Sequence, residues 1–464
     1  MSITYPSLNH PLRVPLAAEA HSRPFLQLDA PESVTHLAVY PGTAGTENAA
    51  AVITGADAAP VWQQSTLRAL CGFFGVAGPA ADAKYFYHDF GRFRLKWECH
   101  TEFATYTFAQ QHDLNAPLAE AFARVPMTQV PQQWLRSLEG KIIVAAHVVL
   151  EKGGQPSDSA SPDLRAAFEG MSLAASTVLQ SAEVWSDFLI QSDGFSRFVV
   201  RDLGLHQQQL GRLVQRVLEI ETYRMMALLG LPHAQASVPI LNAIEGELAL
   251  LTATMVDSDD AHAELAAGAM PAVEPDDEQA LLRSITGLAA RIEKLSVDNS
   301  YRFSASHAYF RLVQARIEEL RESRIDGVPT LGEFMERRLA PAMSTCEATA
   351  RRLEALAERI AHSNDLLRTR VGIVQERQNR RILQSMNARA AQQLQLQQAV
   401  EGLSVAAISY YMVALCGYVA KAGESAGLPI NPDIVTGVAV PVVVVLVALA
   451  LRRLHRQIKP HGGR

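Results

Sequence analysis

Residues 402–420 read GLSVAAISYYMVALCGYVA, and residues 434–451 read IVTGVAVPVVVVLVALAL. No charged side chain falls between Glu401 and Lys421, or between Asp433 and Arg452. A bilayer core about 30 Å thick takes about 20 apolar residues of helix, so either stretch is long enough to cross it. A two-helix transmembrane hairpin is therefore expected over 402–451. Its connector, 421–433, holds Lys421, Glu424 and Asp433 among the turn residues Gly423, Gly427, Pro429 and Pro432. Arg377, Arg380, Arg381 and Arg389 precede the first span, and Arg452, Arg453, Arg456 and Lys459 follow the second. Basic residues concentrate on the cytoplasmic side. Both termini are thus expected in the cytoplasm, with the connector outside. The basic tail, 452–464, either only sets this topology or also meets anionic headgroups.

The rest of the chain divides by pattern. Residues 1–204 read as an α/β cytoplasmic domain. Strands are expected at 34–40, 84–90, 93–99, 103–108, 142–150, 183–190 and 195–201, with a turn near Asp89 and Gly91. Helices follow at 210–231 and 240–255. The acidic stretch 257–278, with Asp259, Asp260, Glu274, Asp276 and Asp277, reads as a solvated linker. Long stalk helices are expected over 279–401. One seam is Leu281, Ile285, Leu288, Ile292 and Leu295, and another is Leu353, Leu356, Ile360, Leu367, Val371 and Val374. Between them, Asp326-Gly327-Val328-Pro329 breaks the helix and Thr330 with Glu333 forms a capping-box pattern. No strong breaker appears from Ala342 to the first span, so one helix is expected to feed into it. The fold class is an α+β cytoplasmic domain followed by long helices and a two-helix transmembrane hairpin. The stalk near the membrane is rich in Gln and Asn, a composition that needs either a second copy or a watery vestibule beside it.

Composition bounds the chemistry. The net charge of −6 gives no electrostatic case for nucleic acid. The four cysteines, Cys71, Cys99, Cys346 and Cys416, have no paired spacing, which suits a reduced compartment. Residues 1–20 show no signal-peptide core. There is no phosphate-binding loop, no GxGxxG after a strand, no GxSxG and no HExxH. No catalytic residue, metal ligand or cofactor is therefore assigned.

Two polar clusters remain. One follows His10-Pro11-Leu12-Arg13 and runs through Glu19, His21 and Arg23 to Phe25. It reads as a small anion or metal site, as an interaction motif, or as a Glu19–Arg23 pair that pins the N-terminal arm with Phe25 as its anchor. The other holds Glu98, His100 and Glu102. Alternation puts Trp97, Cys99 and Thr101 on one strand face and Glu98 and His100 on the other, with Glu102 continuing the second set. That set forms a carboxylate–imidazole site, a solvated face or a buried ion pair. In the first span, Ser404, Ser409 and Tyr411, with Lys421 at its outer end, are candidate pore-lining residues. Polar groups are costly against lipid, but serines can also bond back to their own helix.

The stretches His10–Arg13, Glu19–Phe25, Trp97-Glu98 with 100–108, and 410–421 resemble the bacterial domain-of-unknown-function 3422 family over nearly the whole chain. The resemblance implies a membrane-anchored protein of the bacterial inner membrane and brings no activity with it. The layout is also similar to CorA-type magnesium transporters, pentameric channels whose first span lines the pore and ends in Gly-Met-Asn. Here the corresponding place reads Gly417-Tyr418-Val419-Ala420-Lys421. The selectivity motif is absent, and Lys421 at the mouth would repel divalent cations.

The expected function is an integral inner-membrane protein forming a homo-oligomeric, CorA-like ion conduit. The alternative is a membrane-tethered cytosolic scaffold or sensor without transport. An enzyme built on Glu98, His100 and Glu102 ranks last. The partners expected are the lipid bilayer and further copies of the chain.

Overall fold

The computed structural model describes residues 10–13, 16–17, 24–40, 59–81, 83–112, 117–154, 160–265, 275–425 and 431–458. The chain divides into two compact units, residues 1–272 with 283–364 and residues 273–282 with 365–464.

The first unit is built on one nine-stranded sheet. The expected strands appear as β1 (Glu32–Tyr40), β2 (Tyr85–Asp89), β3 (Arg94–Cys99), β4 (Ala104–Gln111), β5 (Lys141–Lys152), β7 (Ala182–Ile190) and β8 (Ser196–Asp202). Two further strands, β6 (Ala174–Val178) and β9 (Ser323–Arg324), carry no sequence signal. AASTV lacks alternation, and two residues are too few for any period. The spatial order is β2-β3-β4-β1-β5-β8-β7-β6-β9. Every pairing is antiparallel except β5 with β8, which is parallel. The β2–β3 turn is closed by Gly91, at φ +78°, whose N–H donates to Asp89 Oδ1 at 2.8 Å.

Both faces are covered, which explains why β1 is buried along nearly its whole length. On one face, Leu37, Leu95, Trp97, Tyr106 and Phe108 pack beneath α1 (Ala59–Phe73) and Trp134. The same face continues under Leu118, Phe122, Leu164 and Phe168, which meet Val149, Trp185 and Val199. The other face is covered by α5 (Gln207–Leu228), through Leu210, Leu213, Val214, Val217 and Leu218. Between α1 and α5 lie three short helices, α2 (Leu118–Ala123), α3 (Gln132–Arg136) and α4 (Pro162–Ala166). Each buried Leu or Val contributes about 1.5–3 kcal/mol.

Behind α5 come α6 (Gly230–Leu265), α7 (Pro275–Leu320), α8 (Leu331–Arg338) and α9 (Ala340–Ser425). The first predicted seam is buried at Ile285, Leu288, Ile292 and Leu295, and the second at Leu353, Leu356 and Ile360. Arg291 pairs with Glu247, and Arg352 with Glu245, tying α7 and α9 to α6. The capping box forms as expected: Thr330 Oγ1 accepts from Glu333 N at 3.1 Å, and Glu333 Oε2 accepts from Thr330 N at 3.2 Å. The acidic stretch differs from expectation. α6 runs on through Asp257, Asp259 and Asp260, and α7 begins at Pro275. Proline suits a first helical position.

In the second unit, α10 (Pro432–Ile458) lies beside α9 where Gly417 faces Thr436; a methyl group at Gly417 would stand 3.4 Å from Thr436 Oγ1. Residues 375–400 are exposed all round. Among the described residues, three helical stretches are long and apolar enough to cross a membrane: Gln207–Val256, Leu331–Ser425 and Pro432–Ala450. The sequence reads as two helices there, 210–231 and 240–255, and not as a span, because Glu245 and Glu247 interrupt it; its α5 part packs on the sheet.

Candidate functional site

Strand alternation builds the site. Lys96 and Glu98 point away from the Trp97 face of β3, and the register sets Lys96 opposite Thr107 and Glu98 opposite Thr105 on β4. Thr107 in turn lies opposite His36 on β1. These side chains form a polar patch on the face that α5 covers. Between them lies a cavity of about 210 Å³. Lys96, Glu98, His100, Thr105, Thr107 and His36 form the strand side, and Gln215, Glu219, Thr222 and Tyr223 of α5 the helix side. Leu26, Leu28, Val34, Phe103, Val214 and Leu218 supply apolar walls, and Arg316 of α7 closes the set.

The polar groups form one chain of contacts. Glu98 Oε2 lies 3.1 Å from Lys96 Nζ, which donates to Gln215 Oε1 at 3.1 Å. Gln215 Nε2 donates to Glu219 Oε1 at 2.8 Å, and Arg316 pairs with Glu219. Arg316 then reaches Glu319 at 2.6 Å, which also accepts from Arg216 at 2.5 Å. Burial works against the Arg316 charge, but Glu219 and Glu319 outweigh it and hold its pKa above the usual value.

His36 is read from its neighbours. The Thr222 hydroxyl donates to Leu218 O at 2.8 Å, so it can only accept from His36 Nε2, 3.2 Å away. Nδ1 is then the acceptor for Thr107 Oγ1 at 2.9 Å. Burial, followed by the nearby Lys96 charge, pushes the ring pKa down to about 3 from 6.5. The folded ring stays neutral while the unfolded ring protonates below about 6.5. Stability is therefore flat in this group above pH 6.5 and falls as pH drops from 6.5 towards 3, where the unfolded chain binds the extra proton. His36→Gln should remove up to about 1.4 kcal/mol per pH unit of that slope. Denaturant unfolding at pH 7, 6 and 5, wild type against variant, checks it.

The three residues expected to act together separate. Glu98 and His100 line the cavity, the His100 ring stacked on Phe103 at 4.4 Å. Glu102 lies instead in a buried network with Arg302, at 2.9 and 3.4 Å. The phenols of Tyr301 and Tyr309 also bond to it; burial first, then the Glu102 charge, pushes the Tyr301 pKa up to about 12 and raises Tyr309. Glu102 is thus the buried ion pair that the sequence left open. Glu19, His21 and Arg23 lie outside the described residues. Just beyond them, the Arg212 guanidinium sits 5.4 Å over the Phe25 ring.

In the first apolar stretch, Ser404 bonds back to Val400 O at 2.9 Å. Ser409 is buried, and its hydroxyl has no partner among the described residues. Tyr411 and Lys421 are exposed. Among the described residues, no group of three or more His, Cys, Asp or Glu is placed to hold a metal ion.

The family model described as "Protein of unknown function (DUF3422)" matches residues 8–458. The chain belongs to the DUF3422 family. None of the curated proteins and none of the solved structures matches it, so the likeness to CorA-type transporters gains no support. In this DUF3422 protein the sequence reading missed His36, Lys96, Gln215, Glu219 and Arg316. Lys96 was reachable, since it shares a strand face with Glu98. Gln215 and Glu219 stand four apart on one helix, a spacing that marks a shared stripe. Nothing in the sequence brings Arg316 to them.

Proposed function

We propose that this DUF3422 protein is a membrane-tethered sensor. Residues 402–451 hold it in the bilayer, and the α/β domain, on the cytoplasmic side, takes a small polar molecule into the cavity between α5 and the sheet. The observation that carries this reading is the cavity itself. Three strands, one helix face and Arg316 bring both signs of charge to an apolar-walled space of about 210 Å³, and small-molecule sites share that composition. That space has room for several waters, and so for a small metabolite.

A conduit through 402–420 is the second reading, favoured by the unpartnered Ser409 hydroxyl. The two readings separate in one preparation. Under the sensor reading the chain resists carbonate extraction from membranes, yet the purified protein in liposomes passes no ion under Mg²⁺, K⁺ or H⁺ gradients. Ion flux would favour the conduit, and release by carbonate would remove both.

A further inference from the structure

The proposed sensor leaves its ligand open, and the lining narrows the class. Lys96 and Arg316 balance Glu98 and Glu219, and His36 is held neutral. A ligand with net charge would bring an uncompensated charge into a site walled by leucine, valine and phenylalanine, which is strongly unfavourable. A wholly apolar ligand would leave the Lys96–Glu98 pair shielded from water with nothing gained.

Lys96 and Glu98 are 4% and 9% exposed. They stand two apart on β3, their charges 3.1 Å from each other at the cavity surface. A molecule carrying both signs can satisfy each partner separately. Directly across from Glu98, Thr105 is 4% exposed, and its hydroxyl has no partner among the described residues. Buried hydroxyls rarely go unpaired, so this one marks a place for a ligand's polar atom.

Resting on the sensor reading, we propose that the ligand is a small zwitterion with one ammonium and one carboxylate, of the α-amino acid class. Its carboxylate takes Lys96, its ammonium takes Glu98 and the Thr105 hydroxyl, and its side chain lies against Leu26, Leu28 and Val214. Gln215 holds Lys96 from the helix side and fixes where the carboxylate sits.

The test is calorimetric titration of the full-length protein in detergent. The probes are glycine, L-alanine, L-leucine and L-glutamine, set against succinate, putrescine and glycerol. At least one amino acid binds; Glu98→Gln weakens it about tenfold or more, and Thr105→Val weakens it by a smaller factor. Both substitutions conserve shape, and unchanged thermal unfolding confirms that the variants are folded. Succinate, putrescine or glycerol binding without any amino acid would overturn the zwitterion assignment and leave the sensor reading standing. Amino-acid binding untouched by both variants would place the ligand elsewhere and overturn the site. No heat from any probe at about 10 mM, far above typical metabolite-range affinities, would overturn this proposal and weigh against the sensor reading as well.

Discussion

Arg302→Met lowers the unfolding free energy by about 3–5 kcal/mol, the usual cost of stripping one partner from a buried ion pair. Arg302 and Glu102 are both nearly inaccessible, and the guanidinium meets the carboxylate with two nitrogens. Removing it leaves the Glu102 carboxyl buried with the Tyr301 and Tyr309 phenols in place of the guanidinium. The pair links the turn after β3 to α7, so its loss also loosens the helix that carries Arg316. Removing the second charge as well, in Glu102→Leu with Arg302→Met, should recover most of the loss, since an apolar replacement of a buried pair is often neutral. Denaturant midpoints of the two single variants and the double variant form the cycle that decides it.

Gly211→Ala costs about 3 kcal/mol, at the upper end for overpacking. A methyl group there would stand 1.9 Å from Leu26 O, and a backbone oxygen cannot swing aside as a side-chain end would. Either α5 lifts from the sheet or the Leu26–Leu28 segment moves outward. Both segments wall the cavity, so the same variant should also lose the calorimetric signal of the wild type. Leu213→Ala, on the same helix but not at the cavity, is the comparison. It destabilises by about 2–5 kcal/mol through lost burial while binding survives in the fraction that stays folded.

Much of this fold was legible because strands write a period of two. Trp97 and Cys99 go to one core while Glu98 and His100 go to the other face, as alternation requires. The same rule does not reach as far as Glu102. β3 ends at Cys99, and once the pleat ends the parity of a side chain no longer follows from its number. Its partner lies 200 residues away, a contact that no local pattern encodes. The α7 and α9 seams were readable from apolar spacing, whereas the acidic residues of α6 hid a helix, because charge density weighs against order in a sequence reading while AHAEL favours helix. The cavity was half visible: its strand side could be read from one segment, but its far side needed α5 and α7 to be folded onto it.

The lone parallel junction, β5 with β8, has a kinetic meaning. On one side of it β2-β3-β4-β1-β5 join in antiparallel fashion, and on the other β8-β7-β6-β9 do the same. The hairpins β2–β3, β3–β4, β6–β7 and β7–β8 close short loops, whereas β1 must bring Glu32 to Gln111 of β4 and to Leu150 of β5, and β5 must bring Ala146 to Ser196 of β8. Closure over longer spans is entropically dearer and slower. The sheet therefore assembles from two local meanders, β2-β3-β4 and β6-β7-β8, and the seating of β1 and β5 between them, which closes the parallel junction, is the step on which the rate of reaching the native state depends.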